Sequence, residues 1–156
     1  MFLKEEIFTF WDPLELVDGD LRLGLVEKRF GNPARDIVPA YKFEMRKIDT
    51  WEPIGRVDLR IGNTEHIVMY AGHVGYRVEP LYRGERFAAR SCVLLFDLAR
   101  RHQIDPLWIT CNPENVASRR TCELIGGRLI EIVALPENTD MYIEGERFKC
   151  RYRVDV

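Results

Sequence analysis

The chain has 156 residues, 46% of them hydrophobic and 31% charged, with a formal net charge of −2. That size and balance describe one domain able to bury its own core, and they exclude a disordered chain. The lack of a basic excess also argues against a dedicated nucleic-acid binder.

The opening stretch MFLKEEIFTFWDPLEL is interrupted by Glu5, Glu6 and Asp12. It is expected to be neither a signal peptide nor a membrane span. Four cysteines (Cys92, Cys111, Cys122, Cys150) lie far apart, with no C-x-x-C pair and no histidines at ligand spacing. They are expected to be reduced, buried thiols of a cytoplasmic protein, and no metal is expected. No repeat or linker divides the chain, so a single domain over residues 1–156 is expected.

In chain order, Leu21, Leu23 and Leu25 alternate as a first strand, and GNPARDIVP reads as a loop. AYKFEMRKI places Tyr41, Phe43 and Met45 on one face, and GRVDLRIGN does the same with Val57, Leu59 and Ile61. GHVGYRV is a fourth strand. Period-2 patterns in succession predict antiparallel neighbours. From Arg86 to His102 apolar residues recur at three- and four-residue spacing, which predicts a long helix. LWITC is a short buried strand. A second helix over about 113–125 follows, capped by Asn112 or Asn115 and stopped at Gly126. RLIEIVAL and RFKCRYRVDV close the chain as two strands joined by a polar turn around Pro136 to Asp140. The order predicts an α/β fold, one mixed and mostly antiparallel sheet with helices on it.

The junction Tyr82–Ala89 carries chemistry. A chain leaving a strand for a helix offers backbone N–H groups with no intrahelical partner, and the helix dipole adds partial positive charge. Gly84 permits close approach, and Arg83, Arg86 and Arg90 bring full charges. Such a loop suits phosphate or pyrophosphate, and equally fits an ordinary turn with solvated arginines.

Two motifs together resemble the GNAT (Gcn5-related) N-acetyltransferases. That family binds acetyl-CoA at a Q/R-x-x-G-x-G/A loop, here Arg83-Gly84-Glu85-Arg86-Phe87-Ala88. The variant R-G-x-G-x-A is matched at Arg83, Gly84 and Ala88 and departs at Arg86. The family's N-x-x-S-x-x-x-x-E-x-x-G segment is matched at Asn115, Ser118, Glu123 and Gly126. The resemblance implies that the fourth and fifth strands are parallel and splay apart, with pantetheine in the gap and paired to backbone near Val78. It implies pyrophosphate on the amides of Arg83 to Ala88, including Glu85 and Phe87, with Asn115 and Ser118 near the thioester. If the backbone at Arg86 is already helical, as favoured here, its side chain costs no strain and its charge assists the phosphate; if that amide must be approached closely, the side chain blocks the cofactor instead.

The implied reaction is acetyl transfer from acetyl-CoA to a primary amine of a small molecule or protein N-terminus. The alternative is a non-catalytic CoA-binding or interaction protein of the same fold. Many relatives place a tyrosine seven residues after the asparagine as the acid that protonates the thiolate; here that position is Cys122. Ser118 is the substitute candidate and Cys122 the second. His73 is a candidate base on the fourth strand, with Glu79 and Glu131 still open. No nucleic-acid or membrane partner is expected, and a homodimer is compatible with the reading. A nucleic-acid module built on the basic strand Arg147–Arg153 is the weakest alternative. Relatives usually carry two helices between their first and second strands; only EKRFGNPARDIVP stands there, so a more open acceptor side is expected.

Overall fold

In the computed structural model, residues 8–156 are described; Glu5 and Glu6 of the acidic opening lie outside that range. Strands β1 (Leu16–Asp18), β2 (Leu21–Arg29), β3 (Ala40–Lys47), β4 (Pro53–Arg60) and β5 (Val74–Val78) form an antiparallel sheet in that order. The alternation seen in the sequence produces its buried face, where Leu21, Leu23, Tyr41, Phe43, Met45, Val57, Leu59 and Val74 sit in the core. The short β1 is not apparent from the sequence, because Val17 is exposed and the pairing to β2 is made by backbone alone. Between β2 and β3 the chain makes only a 3-10 turn, Pro33–Arg35, as the shortness of that segment leads one to expect. A bulge in β2 between Leu25 and Glu27 leaves Val26 facing outward.

The predicted long helix is two, α1 (Phe87–Leu94) and α2 (Phe96–Arg101). At the fully buried Leu95 the amide bonds to the Cys92 carbonyl at i−3, so the helix tightens and turns there. Strand β6 (Leu107–Cys111), helix α3 (Val116–Leu124), β7 (Arg128–Ala134) and β8 (Phe148–Val154) follow, and a short helix α4 (Asp140–Ile143) lies in the polar connection before β8. The three strands form a second antiparallel sheet in the order β6-β8-β7. The basic face of β8 turns partly inward: Lys149 bonds Asn112 at 2.7 Å, and Arg151 reaches Glu131, the Val68 carbonyl and the ring of Trp108. This leaves little of a basic stripe for nucleic acid.

The expected mixed sheet is therefore opened along one seam, between β5 and β6. The two strands meet at their beginnings, where His73 N–H donates to the Trp108 carbonyl at 2.7 Å. Gly72 makes that approach possible. Its φ is +76°, and a Cβ there would lie 3.0 Å from the Trp108 carbonyl and 3.1 Å from the Thr110 nitrogen. From this point the strands diverge toward a common end, where β5 runs into α1 and β6 into α3. A π-helical turn, Ile67–Ala71, for which the sequence offers no pattern, packs on β6. Its carbonyls are taken by side chains, Val68 O by Arg151 and Tyr70 O by Thr110. All four cysteines are free and buried. Among the described residues no helix is long and apolar enough to cross a membrane.

Candidate active site

The seam opens into a cleft of about 560 Å³, lined by Tyr76, Arg77 and Val78 of β5, the loop Tyr82–Ala88, and Asn115 to Leu124 at intervals along α3. Phe87, almost fully buried, fixes the start of α1 and with it the loop. Burying such a ring is worth about 1.5–3 kcal/mol. The backbone N–H groups from Gly84 through Ala89 donate to nothing among the described residues, and α1 has no side-chain cap. The loop presents them as an anion-binding set.

The arginines divide differently from expectation. Arg83 and Arg86 line the cleft. Arg90 does not: its Nε meets Asp18 at 2.9 Å and its Nη2 meets Asp20 at 2.7 Å, so its charge is spent on the turn between β1 and β2. Those partners are some 70 positions away, out of reach of local sequence reading. Arg77 of β5 and Arg120, one turn along α3 and 3.4 Å from Glu123, also line the cleft, and no motif in the sequence marks either. Glu85 is exposed and is not part of the cleft wall, so only its amide is a candidate there.

Arg86 corrects a premise. Its backbone is left-handed, φ 61° and ψ 28°, not right-handed helical. This is the conformation that the family's glycine suits, and a side chain there costs roughly 1–2 kcal/mol. Arg86→Gly is therefore expected to raise stability by about 1 kcal/mol, measured by denaturant unfolding. An unchanged or lower midpoint would show the arginine's contacts to outweigh the strain.

At the inner end of the cleft Asn115 caps α3, its side chain accepting from the Ser118 amide at 3.1 Å, and it lines the cleft. Ser118 is buried, and its Oγ lies 2.6 Å from the Tyr76 hydroxyl. Burial, then the neighbouring Cys122, push the Tyr76 phenol strongly upward, so it keeps its proton. In the sequence Tyr76 is one residue of the fourth strand, GHVGYRV, with nothing to mark it. The packing of β5 against α3 turns it into a hydroxyl beside Ser118 and Cys122, where the sequence shows no tyrosine on the helix. Cys122 itself is fully buried and outside the cleft wall; its contact with the Cys111 thiol and its burial push the thiol upward. A proton-donor role for Cys122 thus has no access.

The base role expected of His73 meets the same difficulty. The ring is fully buried, its Nδ1 accepts from the Trp108 amide at 2.8 Å, and its Nε2 therefore carries the proton and donates to Asn63 at 2.9 Å. Both nitrogens are committed to the seam and neither faces the cleft. Glu131 pairs with Arg151 on the other sheet. Val78 closes the cleft's strand wall, and its carbonyl already accepts from Arg83 Nε at 3.0 Å.

A sequence model described as an acetyltransferase (GNAT) domain matches residues 21–128, from β2 to the start of β7. Among solved structures, the ribosomal-protein-S5-alanine acetyltransferase from Vibrio fischeri is similar with a TM-score of 0.66 at 14% identity, over 91% of this chain and 96% of that one. The microcin C7 self-immunity acetyltransferase MccE, solved with acetyl-CoA and AMP, is similar with a TM-score of 0.59 at 14% identity, over 75% of this chain and 61% of that one. At such identities the likeness is one of fold. No curated protein matches the sequence.

Proposed function

The chain belongs to the GNAT acetyltransferase family, and we propose that it moves an acetyl group from acetyl-CoA to a primary amine of a small molecule or a protein N-terminus. The observation that carries this reading is the cleft itself, with unpartnered amides and arginines at its mouth and a protonated hydroxyl pair at its inner end. The loop Arg83–Ala88 suits the pyrophosphate, and the unpaired side of β5 near Val78 suits the amides of pantetheine. The amine nitrogen attacks the thioester carbonyl, the C–S bond breaks, and the leaving sulfur needs a proton. The Ser118 hydroxyl, held by Tyr76, is placed to donate a hydrogen bond to the leaving sulfur, which ends with the proton the amine gives up. That proton leaves the amine by way of water or a carboxylate on the acceptor side.

The test is a thermal-shift measurement with CoA and acetyl-CoA, followed by release of free CoA thiol with amine acceptors. A ligand bound only by the folded state must raise its stability. No shift at millimolar CoA rejects the reading. A shift without thiol release on any amine favours the non-catalytic CoA-binding alternative.

Arg83→Glu is expected to weaken CoA about 10- to 100-fold, the value of roughly 1.5–3 kcal/mol for a hydrogen bond to a charged group. Titration at several salt concentrations checks it: wild-type affinity should fall more steeply with salt than that of the variant. Equal slopes would remove Arg83 from the phosphate site.

A further inference from the structure

A second hollow, also of about 560 Å³, lies over β3, β4 and β5, and Tyr76 and Arg77 line it as well as the cleft. These two neighbours on β5 thus stand between the space assigned to the thioester and a surface built of charged strand positions. No pair of helices covers this face, because β2 and β3 are joined by a 3-10 turn alone.

The charges on this face are not all spent. Lys42 lies 3.7 Å from Glu27, and Arg60 donates to the Ala71 and Gly72 carbonyls at 3.2 and 3.0 Å. Arg56 and Arg77 are different. They are direct cross-strand partners on β4 and β5, both exposed, and among the described residues neither makes an ion pair or a side-chain hydrogen bond. Glu44 faces Arg56 from β3, yet it is bridged to Arg46 at 2.8 Å. Like charges placed directly opposite destabilise a sheet, and Glu44 and Asp58 beside Arg56 offset this only in part, with no ion pair to either arginine among the described residues. Asp58 stands two positions along β4 on the same face, opposite Gly75, again without an ion pair among the described residues. It is half-buried, and that burial pushes its carboxyl upward. Two uncommitted cations and a carboxylate, about 7 Å apart along one strand, complement a molecule that carries both an anion and an ammonium.

We propose that the acceptor is an anionic amine: a small molecule with a carboxylate or phosphate a few bonds from its reacting amine, the anion held by Arg56 and Arg77 and the ammonium by Asp58. The proposal rests on the acetyl-transfer reading and narrows it to a substrate class. Arg56 and Arg77 are specificity residues here; Arg56 borders the hollow alone and Arg77 borders both the hollow and the cleft, so KM for the amine is read at saturating CoA. Their mutual repulsion falls when an anion sits between them, which favours such a ligand over a neutral amine of equal size.

Thiol-release rates with four amines of matched length test it: one carrying a carboxylate, one a phosphate, one uncharged beyond the amine, and one a diamine. At least tenfold lower KM is expected for an anionic member than for the neutral one, and the lower of the two anionic values identifies the anion. In the double variant Arg56→Gln with Arg77→Gln, that preference should collapse toward unity. Tm should rise, since a repulsive pair is gone; a purely structural role would lower it. Anionic amines no better than neutral ones, or a preference that survives the double variant, overturn the proposal while leaving CoA binding and acetyl transfer standing. CoA binding with no anionic amine accepted overturns it too. If CoA fails to stabilise the wild type, the functional reading falls and takes the proposal with it.

Discussion

Alanine in place of Ser118 is expected to lower kcat by on the order of 10²–10⁴-fold, the usual worth of acid–base assistance, while CoA affinity stays nearly intact. That split marks an interaction made mainly in the transition state. The geometry adds a sharper expectation. Ser118 Oγ and the Tyr76 hydroxyl are 2.6 Å apart, so they are expected to act as one donor unit, with Tyr76 orienting the Ser118 hydroxyl toward the sulfur. Tyr76→Phe should then cost a similar factor, and the double variant little more than either single one, because members of one unit are not additive. Additive losses would mean two separate roles. Near-wild-type turnover in both single variants would move the proton to water. Cys122→Ala is expected to leave kcat alone and to lower stability, since the thiol is buried outside the cleft.

Why the sequence disclosed Ser118 but not Tyr76 is a matter of range. Asn115 and Ser118 lie three apart at the start of one helix, and both cap and spacing can be read locally; the cap is the 3.1 Å bond from the Ser118 amide to the Asn115 side chain. Tyr76 sits 42 positions before Ser118 and shares a strand face with Val74 and Val78, so locally it is one more strand residue. The antiparallel order of β2 to β5 was legible for the same reason that Tyr76 was not, because period 2 reports which face is buried and nothing about what lies across from it. The seam between β5 and β6 needed a contact between His73 and Trp108, 35 positions apart. Arg86 shows another limit. A basic residue ahead of a helix looks harmless in sequence, and only the positive φ reveals that it occupies a glycine's conformation. Arg90 shows the reverse, a charge that looks free until β1 is found beside it.

Acidification is expected to loosen the protein from the seam outward, because His73 is held neutral there. Burial first, with Arg60 adding to it, lowers the His73 pKa to about 4 from the ordinary 6.5. Above pH 6.5 the ring is neutral in both folded and unfolded chains, and its stabilising contribution is fully present. As pH falls from 6.5 to 4 the unfolded chain takes up a proton that the folded one refuses, so this contribution is progressively lost, by about 3 kcal/mol in all at 1.36 kcal/mol per unit. His73→Gln removes the titration. It should be less stable than wild type at pH 7, and the gap should narrow toward pH 4, as read by denaturant unfolding across that range. Parallel curves would show that His73 does not titrate against the fold. The consequence reaches the cleft, because a proton on Nδ1 would displace the Trp108 amide that it now accepts from at 2.8 Å. That bond ties β5 to β6 where they meet, and the divergence of the two strands beyond it shapes the space between Tyr76 and Ser118. CoA affinity of the wild type should therefore fall along with stability below about pH 5, in step with a seam that has lost its histidine.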